Sequence, residues 1–353
     1  MAVAATRLSD CLPLLDLTRD GRTVVIGMGA AGIATRILAA RFGSCWTYAG
    51  HGVAPGQIPV QEMIRTYRFR QLREDTVVYG LAGNPVMQSL SPAMHNAAFE
   101  ALGQNAIYLP LQAADFDDFM TFAERLPIAG ASVTIPFKLD ALRVAQEVDQ
   151  VDDVARVVGA ANTLKRAGRG WEATNTDVAG FLAPLTEGNA PSGFAVAGAR
   201  AAVLGAGGAA RAVVHGLISS GARVRVHARV TERARDVAVA SGADVGEWPP
   251  APGSWDLLVN CTPLGGTARP TESPLPGGPF GGRLVYDLVY APADTRLLRE
   301  AREAGCATIG GLPMLVAQAE RQFEWWTGTR PPDGVMARAA REAMTDGSQA
   351  LRG

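Results

Sequence analysis

The sequence predicts an α/β protein of two domains, preceded by a short and incomplete βα segment. Three observations carry that prediction. Short apolar runs alternate with amphipathic stretches along almost the whole chain, the pattern of strands joined by crossover helices in parallel sheets. A glycine-rich turn, Gly205-Ala206-Gly207-Gly208-Ala209-Ala210, directly follows one apolar run and opens a helical pattern. The chain's 353 residues, 48% hydrophobic and 19% charged, suffice for two or three domains with ample core.

The bulk numbers also exclude classes. A formal net charge of −1 gives no basic surface for nucleic acid or an anionic membrane. Cys11, Cys45, Cys261 and Cys306 show no metal or redox spacing and read as reduced, buried thiols, so no metal is expected. Arg7, Asp10 and Asp16 interrupt any apolar leader, and no uncharged apolar stretch reaches about 18 residues. The expectation is a soluble cytoplasmic protein without nucleic-acid or membrane partners.

Taken in order, residues 1–72 read as helix, strand (Thr23–Gly27), helix, strand (Cys45–Ala49), loop and helix, too little to close a sheet. A second segment opens with a strand from Thr76. Ser91-Pro92 then starts a helix, with Ser91 as its cap and Gly103 as its stop. Strand Ala106–Leu111, a helix from Asp115 to Arg125, strand Ala131–Ile135 and a helix opened by Lys138 follow. The Gly188–Gly198 stretch reads as a linker. Beyond it lie strands Arg200–Leu204, Arg223–His227, Leu257–Asn260 and Leu284–Leu288. From Pro313 a helical tail places Val316, Ala319, Phe323 and Trp326 on one core stripe. The domains so delimited are 1–72, 76–176 with 312–353, and 177–311.

Two side-chain patterns carry chemistry. Glycines between a strand and a helix let backbone N–H groups approach a pyrophosphate, so the turn at Gly205–Ala209 reads as a Rossmann dinucleotide site. An NAD site wants an acidic residue at the tip of the second strand. Here that tip reads His227-Ala228-Arg229-Val230-Thr231-Glu232-Arg233, and two arginines one turn apart suit a 2′-phosphate, so NADP is expected. The second pattern is the scarcity of lysine. Of 33 basic residues two are lysines, Lys138 and Lys165, and Lys138 closes Ser132-Val133-Thr134-Ile135-Pro136-Phe137. Arginine stays protonated, whereas lysine can give up and recover a proton. Around it in sequence, Gly83-Asn84-Pro85 through Ser89-Leu90-Ser91-Pro92, Gly159–Thr163 and Asn175-Thr176-Asp177 cluster the neutral hydroxyls and amides that a small polyhydroxylated substrate needs.

In order and spacing these stretches resemble shikimate dehydrogenase over roughly residues 76–353. Tyr286-Asp287-Leu288-Val289-Tyr290 and the run Gly311–Gln318 extend the match. The resemblance implies that Ser89 and Ser91 hold the substrate carboxylate. It implies that Thr134, Asn162, Asp177 and Gln318 bind the ring hydroxyls, with Tyr290 nearby. It makes Lys138 and Asp177 the catalytic pair, and Gly205, Ala206, Gly207, Gly208, Ala209, Arg229, Arg233, Thr262 and Gly311 the cofactor set. The implied reaction is reversible NADPH-dependent reduction of 3-dehydroshikimate to shikimate. An ammonium can stabilise and then protonate the oxygen on which charge builds, and a carboxylate can keep it oriented and charged. The chain departs from the family in having Ser132 where asparagine is usual, Ala228-Arg229-Val230 where N-R-T is frequent, and Asn260-Cys261-Thr262 for N-A-T.

Residues 8–70 are similar to the C-terminal end of the barrel-type, Schiff-base 3-dehydroquinate dehydratase, through Gly27-Met28-Gly29, Ala34-Thr35-Arg36, Arg41–Ser44 and Ala54–Ile58. The likeness implies substrate-binding positions for Arg36 and Gln57; Val53 stands where serine is common. That chemistry needs a lysine, residues 1–75 hold none, and a full barrel needs about 250 residues. No dehydratase activity is expected of this chain. The segment is then a remnant of a fused two-enzyme protein or reflects a start set too far downstream. The alternatives are a quinate/shikimate dehydrogenase, a bifunctional dehydratase/dehydrogenase if the true start lies upstream, or a non-catalytic binding protein, against which Lys138 and Asp177 both speak. A small-molecule substrate is the expected partner, with a homodimer possible.

Overall fold

The computed structural model describes residues 1–17, 22–50, 54–147, 149–186, 189–278 and 280–350. It begins with β1 (Ala2–Ala4), a 3-10 helix (Leu8–Asp16), β2 (Ile26–Met28), α1 (Ile33–Ile37) and α2 (Val60–Arg65). Next come β3 (Val77–Gly83), α3 (Ser91–Ala101), β4 (Ala106–Gln112), α4 (Phe116–Arg125), β5 (Ile128–Val133) and α5 (Lys138–Gln146). Then follow α6 (Asp153–Val158), β6 (Thr163–Ala167), β7 (Gly170–Thr174) and α7 (Asp177–Leu182). The remainder is β8 (Arg200–Leu204), α8 (Gly208–Ser219), β9 (Arg223–His227), α9 (Thr231–Ser241), β10 (Asp244–Gly246) and β11 (Leu257–Asn260), then β12 (Leu284–Asp287), α10 (Arg296–Glu303), β13 (Ala307–Ile309), α11 (Leu312–Thr327) and α12 (Val335–Ala350).

These elements form two units. The first comprises residues 1–151, 161–174 and 322–353; the second comprises 152–160 and 175–321. The first holds a five-stranded sheet in the order β4-β3-β5-β6-β7. Its first three strands are parallel, while β5, β6 and β7 run antiparallel, so this sheet is mixed where parallel strands were predicted. Lys165-Arg166-Ala167, polar enough to read as a turn, lies in β6, and Lys165 donates from Nζ to the Trp325 carbonyl at 3.1 Å. Aromatic rings build the core beside the sheet, including Phe99 on Phe323 with centroids 4.9 Å apart. Offset or tilted rings at such spacing contribute beyond the area they bury.

The opening segment belongs to this first unit. β1 and β2 pair in parallel as a two-stranded sheet, the 3-10 helix packs on α4, and α1 lies against the edge strand β4. The attachment centres on the buried Asp118 carboxylate, which accepts from the backbone N–H of Leu8 and Ser9 at 2.9 Å each and of Ala114 at 3.0 Å. The first predicted strand is shortened and shifted to Ile26–Met28. The second, Cys45–Ala49, is not a strand: it has no ladder partner among the described residues, and Cys45 N–H makes a single bond to the Thr23 carbonyl. Cys45 is exposed and Cys261 half-buried rather than buried, and none of the four cysteines is in a disulfide. Val53 and Gly188 lie outside the described residues.

The second unit is a fully parallel six-stranded sheet in the order β10-β9-β8-β11-β12-β13. The short outer strands β10 and β13 carry no apolar run long enough to reveal them in sequence. Helices on both faces demand apolar strands throughout. Val203, Val226, Leu257 and Val259 are buried in one core with Val213, Val214 and Leu217 of α8, while Leu204 and Leu258 are buried in a second core with Trp255 and Val285. Strand order reverses between β8 and β11, where a doubly wound sheet opens a crevice at its carboxyl edge. In the tail, Gly328–Gly334 divides the predicted helical stretch into α11 and α12, and all four stripe residues are buried.

Candidate active site

In the first unit the carboxyl ends of β3 and β5 and the start of β6 gather five of the sequence-identified side chains. Backbone bonds tie these ends together. Thr134 N–H donates to the Ala82 carbonyl at 2.9 Å, Val133 N–H to the Asn162 carbonyl at 2.7 Å, and Ala161 N–H to the Lys138 carbonyl at 2.9 Å. Lys138 is the half-buried first residue of α5, and Asn162 is buried with its Oδ1 accepting from the Thr163 hydroxyl at 2.8 Å. Any side chain on Gly83 would collide with the Thr134 methyl, so glycine is what lets the two strand ends close up.

Ser91 does not cap α3 as its sequence position predicts. Leu90 occupies the cap and Ser91 is the first helical residue. Ser91 N–H is instead satisfied by Ser89 Oγ at 3.2 Å, and the Ser89 hydroxyl donates to Ser91 Oγ at 3.1 Å. Two adjacent hydroxyls, neither engaged in capping, can donate together to a carboxylate.

Sequence reasoning missed Gln322. Its Oε1 accepts from the Ser132 hydroxyl at 2.7 Å, while its Nε2 donates to the Asn162 carbonyl at 3.2 Å and Thr163 Oγ1 at 3.0 Å. Buried and fully engaged, it fixes the backbone that presents Asn162. Its signal was available: a second glutamine four residues after Gln318, one helical turn on.

In the second unit Asp177 is the buried first residue of α7, its N–H donating to Asn175 Oδ1 at 3.0 Å. Asn175 in turn donates from Nδ2 to the Ala160 carbonyl at 2.8 Å. The bare Cα of Gly180 lets α7 approach α11 closely: an added Cβ would stand 2.7 Å from Gln318 Cβ. Gln318 donates to the Leu315 carbonyl at 2.8 Å. Tyr290, half-buried, follows β12. Asp287 of the same motif is structural: its carboxylate accepts from Asn260 Nδ2 at 2.9 Å, Val289 N–H at 3.1 Å and Thr295 Oγ1 at 2.6 Å. Burial pushes that carboxyl upward, and the three donors counter the shift.

The glycine turn lies at the switch point. Gly205 takes φ +108°, which suits glycine, and a Cβ there would press on Thr262 Cγ2 at 3.2 Å. Gly207 caps α8 with an ordinary φ of −91°, and a Cβ added to it would meet no protein atom within 4 Å. The protein's own packing therefore does not demand glycine at 207, and the bare turn leaves room for a group to lie against it. Gly208 and Ala209 open the helix, whose first N–H groups point to that space. Arg229 and Arg233 are exposed beyond β9. A Cβ on Gly311 would collide with the Leu288 carbonyl. This turn fits a dinucleotide.

The likeness to known proteins agrees. Residues 81–164 match the shikimate dehydrogenase substrate binding domain, residues 311–341 the shikimate 5'-dehydrogenase C-terminal domain, and residues 1–74 the type I 3-dehydroquinase family. The NADP(+) shikimate dehydrogenase of Moorella thermoacetica is 42% identical over 292 residues, 78% of this chain and 96% of that protein. The bifunctional 3-dehydroquinate dehydratase/shikimate dehydrogenase of Arabidopsis thaliana is 34% identical across 94% of this chain, which spans 58% of that protein's length. The crystal structure of the Thermus thermophilus shikimate 5-dehydrogenase with NADP(H) and shikimate is 36% identical. It superposes with a TM-score of 0.67 over 76% of this chain and 99% of that one. With the strand ends, the serine pair and the switch-point turn in place, this chain belongs to the shikimate dehydrogenase family.

Proposed function

We propose that the protein is an NADP-dependent shikimate dehydrogenase, reversibly reducing 3-dehydroshikimate to shikimate on the way to chorismate and the aromatic amino acids. The observation that carries this reading is the gathering of Ser89, Ser91, Thr134, Lys138 and Asn162 at joined strand ends of one sheet. Lys138 is also the one lysine not held in a strand. Ser89 and Ser91 take the substrate carboxylate, and Thr134, Asn162, Gln318 and Tyr290 its ring hydroxyls. As the ketone is reduced its oxygen gains negative charge; the Lys138 ammonium stabilises that charge and then gives the oxygen its proton, with Asp177 as partner carboxylate.

NADPH supplies the hydride. The backbone of Gly205–Ala209 holds its pyrophosphate, Arg229 and Arg233 the 2′-phosphate, and Thr262 and Gly311 border the nicotinamide end. In functional terms residues 76–176 with 312–353 bind substrate and residues 177–311 bind cofactor. Four cysteines outside any disulfide suit a cytoplasmic setting, and no helix among the described residues is long and apolar enough to cross a membrane. Exposed Trp46 and Tyr48 offer apolar surface for a homodimer. The purified chain should reduce NADP with shikimate at a higher kcat/KM than with quinate, and than NAD with shikimate. A preference for quinate or for NAD would overturn the assignment.

Dehydratase chemistry is not part of this reading. Residues 1–72 offer no lysine amine for an imine, although Arg36 is buried on α1 in the dehydratase-like segment. The 353-residue chain should leave 3-dehydroquinate unchanged when enone formation is followed by absorbance; steady turnover would show that a different base serves.

A further inference from the structure

The first unit holds a cavity of about 190 Å³ where the opening segment meets the end of α3 and the start of β4. Arg68 stands in its wall, 7% exposed, with a single hydrogen bond, from Nη2 to the Ala106 carbonyl at 2.5 Å. Its Nε is buried without a partner, and among the described residues no carboxylate pairs with its guanidinium. Arg73, the other arginine of the wall, is already paired with Asp75 at 3.0 Å. Arg68 also takes φ +48°, a left-handed conformation that costs a residue with a Cβ free energy. Burying an unpaired charge is costly as well, so the fold has a use for that guanidinium, and its planar fork suits a carboxylate.

Another part of the wall has the opposite sign. Glu100 and Gly103 bring the C-terminal end of α3 to the cavity, where the helix dipole favours a cation and the exposed Glu100 carboxylate adds a full negative charge. A dianion such as phosphate would meet both of these as repulsion. A ligand carrying one charge of each sign finds a complement for each. We propose that this cavity binds an α-amino acid, its carboxylate on Arg68 and its ammonium against Glu100 and the end of α3. The volume suits so small a molecule, being below the roughly 300 Å³ at which larger ligands are taken. Gln71 and Gln104 add amides to the wall, and Leu72 adds apolar surface. The site is distinct from the substrate residues, since α3 begins with Ser91 and the cavity touches its other end. An amino acid held there joins the opening segment to α3. The competing role for Arg68 is a plain staple, holding the Ala106 carbonyl and no ligand.

A thermal-shift screen of the full chain separates the two. Saturating shikimate is present throughout, so that the substrate site is occupied. Each common L-amino acid is added in turn, with acetate, ammonium chloride and phosphate as controls. At least one amino acid should raise Tm by about 2 °C or more at saturation, and the three salts should not. In titration calorimetry its binding should be lost in Arg68→Met and weakened about 3- to 10-fold in Glu100→Gln. No shift with any amino acid, or a shift as large with acetate or phosphate, would overturn the proposal. So would unchanged affinity in Glu100→Gln, whose exposed substitution keeps the test decisive if Arg68→Met fails to fold.

Discussion

Lys138→Met should lower kcat by about 10²- to 10⁴-fold while shikimate still binds within a few-fold of the parent affinity. The residue opens α5 at the joined strand ends, and its backbone carbonyl is held by Ala161 N–H. The side chain's length and position are retained in methionine; the transferable proton and the charge are not. Lys138→Arg sharpens the test. Arginine keeps the positive charge but does not release a proton near neutral pH, so it should restore binding and little of the turnover. Stopped-flow reduction under saturating substrate reads the chemical step directly. Near-parental rates in either variant would remove Lys138 as the proton donor and move the search to Asp177.

The second large effect concerns stability. Asp118→Ala should destabilise the first unit by about 3 kcal/mol, because it strips a buried carboxylate from three backbone donors and leaves them without partners. Asp118→Asn retains one acceptor oxygen and should lose less. The neighbouring surface pairs Arg7–Asp115 and Arg125–Asp16 join the same elements, yet all four side chains are largely exposed. Arg7 also faces the buried Asp118 carboxylate at 3.7 Å, so the clean surface case is Arg125→Ala, which should shift stability by only about 0–1 kcal/mol. Urea denaturation of the three variants ranks them; equal effects for Asp118→Ala and Arg125→Ala would mean that the opening segment is held by apolar packing alone.

Most of the second unit was legible because its strands are short, carry buried apolar residues and are punctuated by glycine. The strands at Arg200, Arg223 and Leu257 fall where predicted. The opening segment was harder for a physical reason. Cys45–Ala49 has the composition of a strand, but a strand exists only by pairing, and this stretch finds no ladder among the described residues. The hairpin of β6 and β7 was obscured by its polar content, Lys165 and Arg166 included, which reads as a turn until the partner strand is known. At the site, local rules misplaced Ser91 as a helix cap, since serine before proline is a strong start signal. The cap position fell to Leu90, and that release is what leaves the two serine hydroxyls facing each other. Gln322 was missed for another reason: its spacing from Gln318 marks a shared helix face, but its partners Ser132 and Asn162 lie 190 and 160 residues away in sequence.

That distance has a consequence for inheritance. The small Ser132 hydroxyl meets the Gln322 amide oxygen at 2.7 Å. Placing a larger amide at 132 alone would crowd a buried glutamine that is already engaged on both ends. The two positions are thus free to drift only together, and a grafted or recombined version of this enzyme should be cut so that both come from one parent.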